Sequence, residues 1–161
     1  MPQDSSSPTN PGKTLVIGVG NVLKGDDGLG VQVAEILSKQ KLPPNARIEE
    51  VGTPGIDLIN QFEGWRKVIL IDAVRMGEKP GTWKRFTPQD VEFSTNGEAF
   101  SLHETDLASV LEIAGGLNLL PEELVIYGVE PQDLSLMEGL SPPVEAIINY
   151  VAEQILSEIW K

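Results

Sequence analysis

The sequence predicts an α/β fold: a single three-layer domain with a twisted, mainly parallel sheet and helices on both faces. Three observations carry this. Residues 14–19, 67–74 and 124–129 are nearly continuous apolar runs, as expected of parallel strands covered on both sides. Segments with helical apolar spacing alternate with them. The first run enters a glycine-rich turn and then a helix, the order of a right-handed βαβ unit.

Taken in order, residues 14–19 form the first strand. The helix after Asp27 buries Leu29, Val33, Ile36 and Leu37 and stops near Pro43-Pro44. Residues 46–51 alternate and read as a less buried strand. A turn at 52–55 leads into a short helix over 56–62. Residues 67–74 are the second strongly apolar strand, with Asp72 at its end. After a turn at 77–81, residues 82–87 alternate like an edge strand, and 90–99 are polar and read as irregular. Ser101 and Glu104 have the spacing of a capping box. The helix behind them uses Leu107, Val110, Leu111 and Ala114 and ends at Gly115-Gly116. Residues 124–129 are the third apolar strand. Ser141 is placed to cap one last helix, with prolines in its first turn and a face of Val144, Ile147, Ile148, Val151, Ile155 and Ile159. Residues 13–161 are expected to be one domain and residues 1–12 a flexible N-terminal tail.

Composition narrows the function. A chain of 161 residues, 40% hydrophobic, can fill one core. A net charge of −12 argues against nucleic acid or an anionic membrane as partner and leaves room for a cationic peptide. With no cysteine, a thiol nucleophile, disulfides and Cys-based metal sites are excluded. No apolar run reaches membrane-spanning length, and the tail has neither the basic nor the apolar region of a signal peptide. A cytoplasmic location is the expectation.

The chemistry centres on residues 15–30, LVIGVGNVLKGDDGLG. A dinucleotide fingerprint needs a third glycine where Leu23 stands, and a P-loop needs Lys-Ser/Thr where Asp26-Asp27 stand. Two carboxylates would repel a phosphate and suit a cation. One of them can cap the following helix and leave the other free. Asp72 ends an apolar strand beside a dry core, where an unpaired charge is costly, though a structural Asp bonded to loop amides is an alternative. His103 is the only histidine. A place in the first turn of a helix favours the neutral imidazole that a metal requires. Ligands in such sheets lie beyond the carboxyl ends of the strands, where Asp27, Asp72 and His103 can meet. Together they form a mixed N/O donor set suited to a borderline divalent ion such as nickel or zinc. There is no H-E-x-x-H, since position 107 is Leu, and no G-x-S-x-G.

With GVGNVLKGDDGLG, then Ile-Asp72-Ala, then Ser-Leu-His103 in that order, the chain resembles the hydrogenase maturation endopeptidases. The resemblance runs from residue 14 to about residue 160 and includes GTPGIDL at 52–58. It implies a twisted, mainly parallel sheet between helices. It also implies an endopeptidase that removes the C-terminal extension of a [NiFe] hydrogenase large-subunit precursor after nickel insertion. Asp27, Asp72 and His103 fall on the family's metal-contacting positions, and Asn21 and Asp26 match family positions as well. Position 27 is Asp where some members carry Glu. The nickel would be supplied by the substrate rather than held permanently. Two other classes remain: a non-catalytic metal-dependent hydrogenase assembly factor, and a nucleotide-binding α/β enzyme by fold analogy alone.

Overall fold

A computed structural model describes residues 13–92 and 106–161. The apolar runs become the interior of the sheet. β1 (Thr14–Val19) buries all six of its residues, and β3 (Lys67–Ala73) and β5 (Glu123–Val129) bury all but their first. Strands with no side chain that needs water belong in the middle. The sheet has five strands in the order β2-β1-β3-β5-β4. β2 (Ala46–Val51) and β4 (Trp83–Phe86) are the two edges, and only β4 runs antiparallel. Both edges carry charge, Arg47, Glu49 and Glu50 on one and Lys84 and Arg85 on the other, which discourages pairing with another chain.

Alternation along the strands divides the core into two halves. On one face Leu15, Ile17, Val19, Val68 and Leu70 pack with α2 (Asp57–Gln61) and α4 (Asp106–Gly116), through Leu58, Leu107, Val110 and Ala114. On the other, Val16, Ile69 and Ile71 meet α1 (Leu29–Ser38) and α6 (Ile148–Ile159), through Leu29, Val33, Leu37, Val151 and Ile155. The predicted three-layer α/β domain is the observed one.

Several details differ from the sequence expectation. α1 ends at Ser38, before the prolines, because Lys39 and Gln40 close the last turn onto Ile36 and Leu37. The stretch expected to be irregular begins with a short helix, α3 (Pro88–Glu92), and the Thr87 N–H and hydroxyl donate to the Asp90 carboxylate at its start. The single last helix is two, α5 (Pro142–Glu145) and α6, because Ile147 N–H bonds back only three residues to Val144 and turns the chain between them. Ser141 does not cap α5 with its side chain; its hydroxyl is used elsewhere. The Ser101–Glu104 capping box and the tail of residues 1–12 lie outside the described residues. No helix among the described residues is long and apolar enough to cross a membrane.

α6 is fastened to the sheet by one carboxylate. Glu158 accepts from Arg85 Nε at 2.9 Å and Nη2 at 2.7 Å, from Lys67 Nζ at 2.7 Å, and from the Tyr127 hydroxyl. Burial raises its pKa, but these donors outweigh burial and hold it at about 2. The same carboxylate pushes the Tyr127 phenol, already raised by burial, further up. The folded value of Glu158 lies below the ordinary one of 4.5, so its stabilisation is present above that pH and is lost as pH falls toward 2. Urea unfolding of the wild type should therefore weaken across this window, and Glu158→Gln should flatten the fall while lowering stability at pH 7.

Candidate active site

Close backbone approach builds the site. A Cβ on Gly30 would lie 2.2 Å from the Ile71 carbonyl and 2.5 Å from the Val19 carbonyl, and one on Gly18 would lie 2.0 Å from the Gly30 carbonyl. Only glycine lets the start of α1 rest directly on the ends of β1 and β3. The turn before it is tight as well. Gly20 has φ of +132°, and a Cβ there would collide with the Asp27 carbonyl at 1.8 Å. A 3-10 turn over Gly25–Gly28 therefore carries Asp26 and Asp27 to the carboxyl edge of the sheet, against the end of β3.

The adjacent acids do different work. Asp26 is fully buried. Its Oδ2 accepts from the Gln132 N–H (2.7 Å), the Asp133 N–H (3.0 Å) and the Ser141 hydroxyl (2.8 Å), and its Oδ1 accepts from the Ser141 N–H (2.8 Å). The Asp26 N–H itself donates to the Asp133 carbonyl at 2.8 Å. Burial raises the pKa of Asp26, and the bonds from Ser141, Asp133 and Gln132 outweigh it, so the carboxyl sits below its ordinary range. Neither acid caps a helix, contrary to the sequence expectation. Asp26 instead ties the β1–α1 loop to the loop that follows β5.

Asp27 is the half-buried acid of the pair. Its Oδ2 accepts the Asn21 N–H at 2.8 Å, which fixes the carboxylate's orientation, and its Oδ1 accepts no hydrogen bond from the described residues. Asp72 is 5% exposed, and its Oδ1 accepts the Ala73 N–H at 2.8 Å. Gly18 pairs with Ile71 across β1 and β3, so Asp72 lies one residue beyond that pair, at the same edge as the Asp27 turn. Alternation puts Asp72 on the α4 side of the sheet with Val68 and Leu70. α4 leads into the amino end of β5, so the start of the helix lies toward the carboxyl edge. His103 lies outside the described residues, three positions before Asp106. Among the described residues no group of three or more His, Cys, Asp or Glu side chains is arranged to hold a metal.

Glu130 is a carboxylate that the sequence reading missed. It is 6% exposed, follows β5 directly, and its Oε1 accepts the Met76 N–H at 2.6 Å and the Glu78 N–H at 3.2 Å. The signal was available: an acid closing an apolar strand singled out Asp72 and applies equally to Glu130. Three strand ends thus each present an acid at one edge, and Glu130, like Asp26, is engaged by loop amides.

The family model for hydrogenase maturation proteases matches residues 31–158. The chain belongs to the hydrogenase maturation protease family. It is a peptidase. The family match begins just past the Asp26-Asp27 turn, and alignments with individual relatives extend further along the chain. The protease is 33% identical over 149 residues to the hydrogenase 2 maturation protease of Escherichia coli, covering 91% of this chain and 90% of the relative. It is 37% identical over 134 residues to the hydrogenase expression/formation protein HupD of Bradyrhizobium diazoefficiens, covering 82% and 70%. Among solved structures, the hydrogenase maturating endopeptidase HybD of Escherichia coli superposes with a TM-score of 0.75 at 33% identity, covering 91% of each chain. These agree with the resemblance read from the three motifs.

The tie at Asp26 makes a testable demand. Asp26→Ala leaves three backbone N–H groups without their acceptor, at a cost on the order of 3 kcal/mol or more. Asp27→Asn, at a half-buried position with one amide bond, should cost less than about 1 kcal/mol. Urea unfolding of both variants at pH 7 checks the contrast; equal losses would mean that the two acids share one structural role.

Proposed function

We propose that this protease removes the C-terminal extension of a [NiFe] hydrogenase large-subunit precursor after nickel has been inserted, and that it recognises the substrate's nickel through Asp27, Asp72 and His103. The observation that carries the reading is that Asp27 and Asp72 both stand at the carboxyl edge of the sheet, with the start of α4 directed to the same edge. Two carboxylates and an imidazole make a mixed N/O set suited to a borderline ion such as nickel. The relatives, a hydrogenase 2 maturation protease and a hydrogenase maturating endopeptidase, support the choice of substrate.

In the proposed reaction the nickel belongs to the substrate. It polarises the scissile carbonyl or activates a water, and a carboxylate of the site serves as general base. Water adds to the carbonyl carbon, the C–N bond breaks, and the departing amine takes up a proton. Asp27 is suited to an ion that arrives and leaves, because the Asn21 amide orients one oxygen while the other accepts no bond from the described residues. Asp72 is held in orientation at the strand end, since the Ala73 amide donates to its Oδ1. A protein that acts on an immature subunit belongs where that subunit is assembled, and we place it in the cytoplasm.

Incubation with nickel-loaded and nickel-free precursor, read by intact mass, tests this. The C-terminal extension should be lost only from the loaded form, and no membrane or nucleic acid should be needed. His103→Ala and Asp72→Asn should each abolish processing while leaving the circular dichroism spectrum unchanged. A fully active His103→Ala protein would remove the histidine from the mechanism. An intact precursor that stays bound would favour a non-catalytic assembly role.

A further inference from the structure

Four large apolar side chains stand out to solvent on the two loops that Asp26 ties together: Val22 (44% exposed), Leu23 (54%), Leu136 (83%) and Met137 (40%). Singly, exposed apolar residues are ordinary. Here the two loops are paired at Leu23 and Met137, each next in sequence to another of the four. The Met137 N–H donates to the Leu23 carbonyl at 3.0 Å, the Gly25 N–H donates to the Met137 carbonyl at 2.9 Å, and Lys24 and Met137 form a parallel bridge. Below the pair, Asp26 holds the Gln132 and Asp133 amides, and the Asp133 Oδ1 accepts the Ser135 N–H and hydroxyl just before Leu136. The main chain is therefore fixed while its apolar side chains remain uncovered. Slack chain does not account for that arrangement; a surface kept ready for a partner does.

The surface is continuous with the site. The Asp27 N–H donates to the Lys24 carbonyl at 3.1 Å, the Asn21 N–H donates to the Asp27 carboxylate, and the Leu23 N–H donates to the Asn21 side-chain carbonyl at 2.9 Å. Leu23 and Asp27 thus belong to one hydrogen-bonded turn, and Met137 is paired to it. A polypeptide whose scissile bond reaches Asp27 therefore has Leu23 and Met137 within a few residues of it on this turn. A second exposed apolar group, Ile113, Leu117 and Leu119, lies at the far end of α4, near the amino edge, and has no such connection.

We propose that Leu23, Leu136 and Met137 form the docking shelf for an apolar segment of the precursor next to its scissile bond. This rests on the protease reading above. The shelf supplies binding area for a substrate whose reacting group is held a few residues away, and methionine lets it adapt to more than one side chain.

The test is the rate of cleavage of nickel-loaded precursor over a range of concentrations, for wild type, Leu136→Asp and Leu117→Asp. Leu136 and Leu117 are both largely exposed, so both variants should unfold at the wild-type temperature. Leu136→Asp should raise KM about tenfold or more, as loss of one buried leucine contact predicts. Its kcat should stay within about twofold, and Leu117→Asp should match wild type in both constants. An unchanged KM for Leu136→Asp, or an equal rise for Leu117→Asp, would overturn the shelf and leave the protease reading standing. A wild-type dimer in sedimentation that Leu136→Asp dissolves would overturn it in favour of a second copy of the chain. A wild-type protein that cleaves nothing would overturn the protease reading and the shelf together.

Discussion

A single buried carboxylate organises the working end of this protein. Asp26 is ionised and has no access to water, and its two oxygens face three backbone amides and one hydroxyl. A carboxylate accepts only, so it suits a place where every neighbour is a donor; an asparagine would turn an NH2 toward some of them. The partners come from the loop after β5 and from Ser141 at the start of α5, so the tie closes the long separation between the first and last thirds of the chain. The Gly25–Met137 and Leu23–Met137 backbone bonds follow from that closure. So does the position of Asp27, which stands next to an atom that cannot move.

The same edge shows how a parallel sheet finds room for chemistry. The ends of β1, β3 and β5 lie side by side, each followed by or ending in an acid. Asp26 and Glu130 are consumed by loop amides, and this holds the loops after β1, β3 and β5 in place. Asp27 and Asp72 sit among those loops on rigid supports. Rigidity on one side comes from close packing: without side chains at Gly18 and Gly30, α1 lies against the strand ends with no slack. At the opposite edge of the sheet, Lys67 and Arg85 converge on Glu158 and fasten α6, far from the site. Charge at the carboxyl edge is thus divided between acids that hold backbone and acids that can meet a ligand.

Much of this was legible in the sequence. Apolar runs too continuous to face water could only be central parallel strands, and β1, β3 and β5 are those runs. The failed nucleotide signatures at Leu23 and at Asp26-Asp27 pointed away from phosphate, and the acids do stand at the strand ends. The three motifs in order suggested the family, and the family match agrees. Local patterns were weaker guides where two local signals competed. Ser141 before two prolines looks like a helix cap, but its hydroxyl and amide both go to Asp26, and the helix it opens is one turn long. The apolar face of the last helix runs unbroken through Ile147, yet the chain turns there.

The sequence by itself determined the strand–helix order, the central strands and the edge at which the acids collect, because periodicity and run length are local properties that burial reads directly. The resemblance singled out Asp27, but only the tertiary structure showed what makes Asp26 structural and leaves Asp27 presented. The two are neighbours with identical side chains, and what separates them is a set of donors 106, 107 and 115 residues away. It also decided that Glu130 holds the Met76 and Glu78 amides and that Leu23, Leu136 and Met137 share one surface. Hydrogen bonds across such separations depend on how the loops are brought together, and no spacing within the chain encodes that in advance.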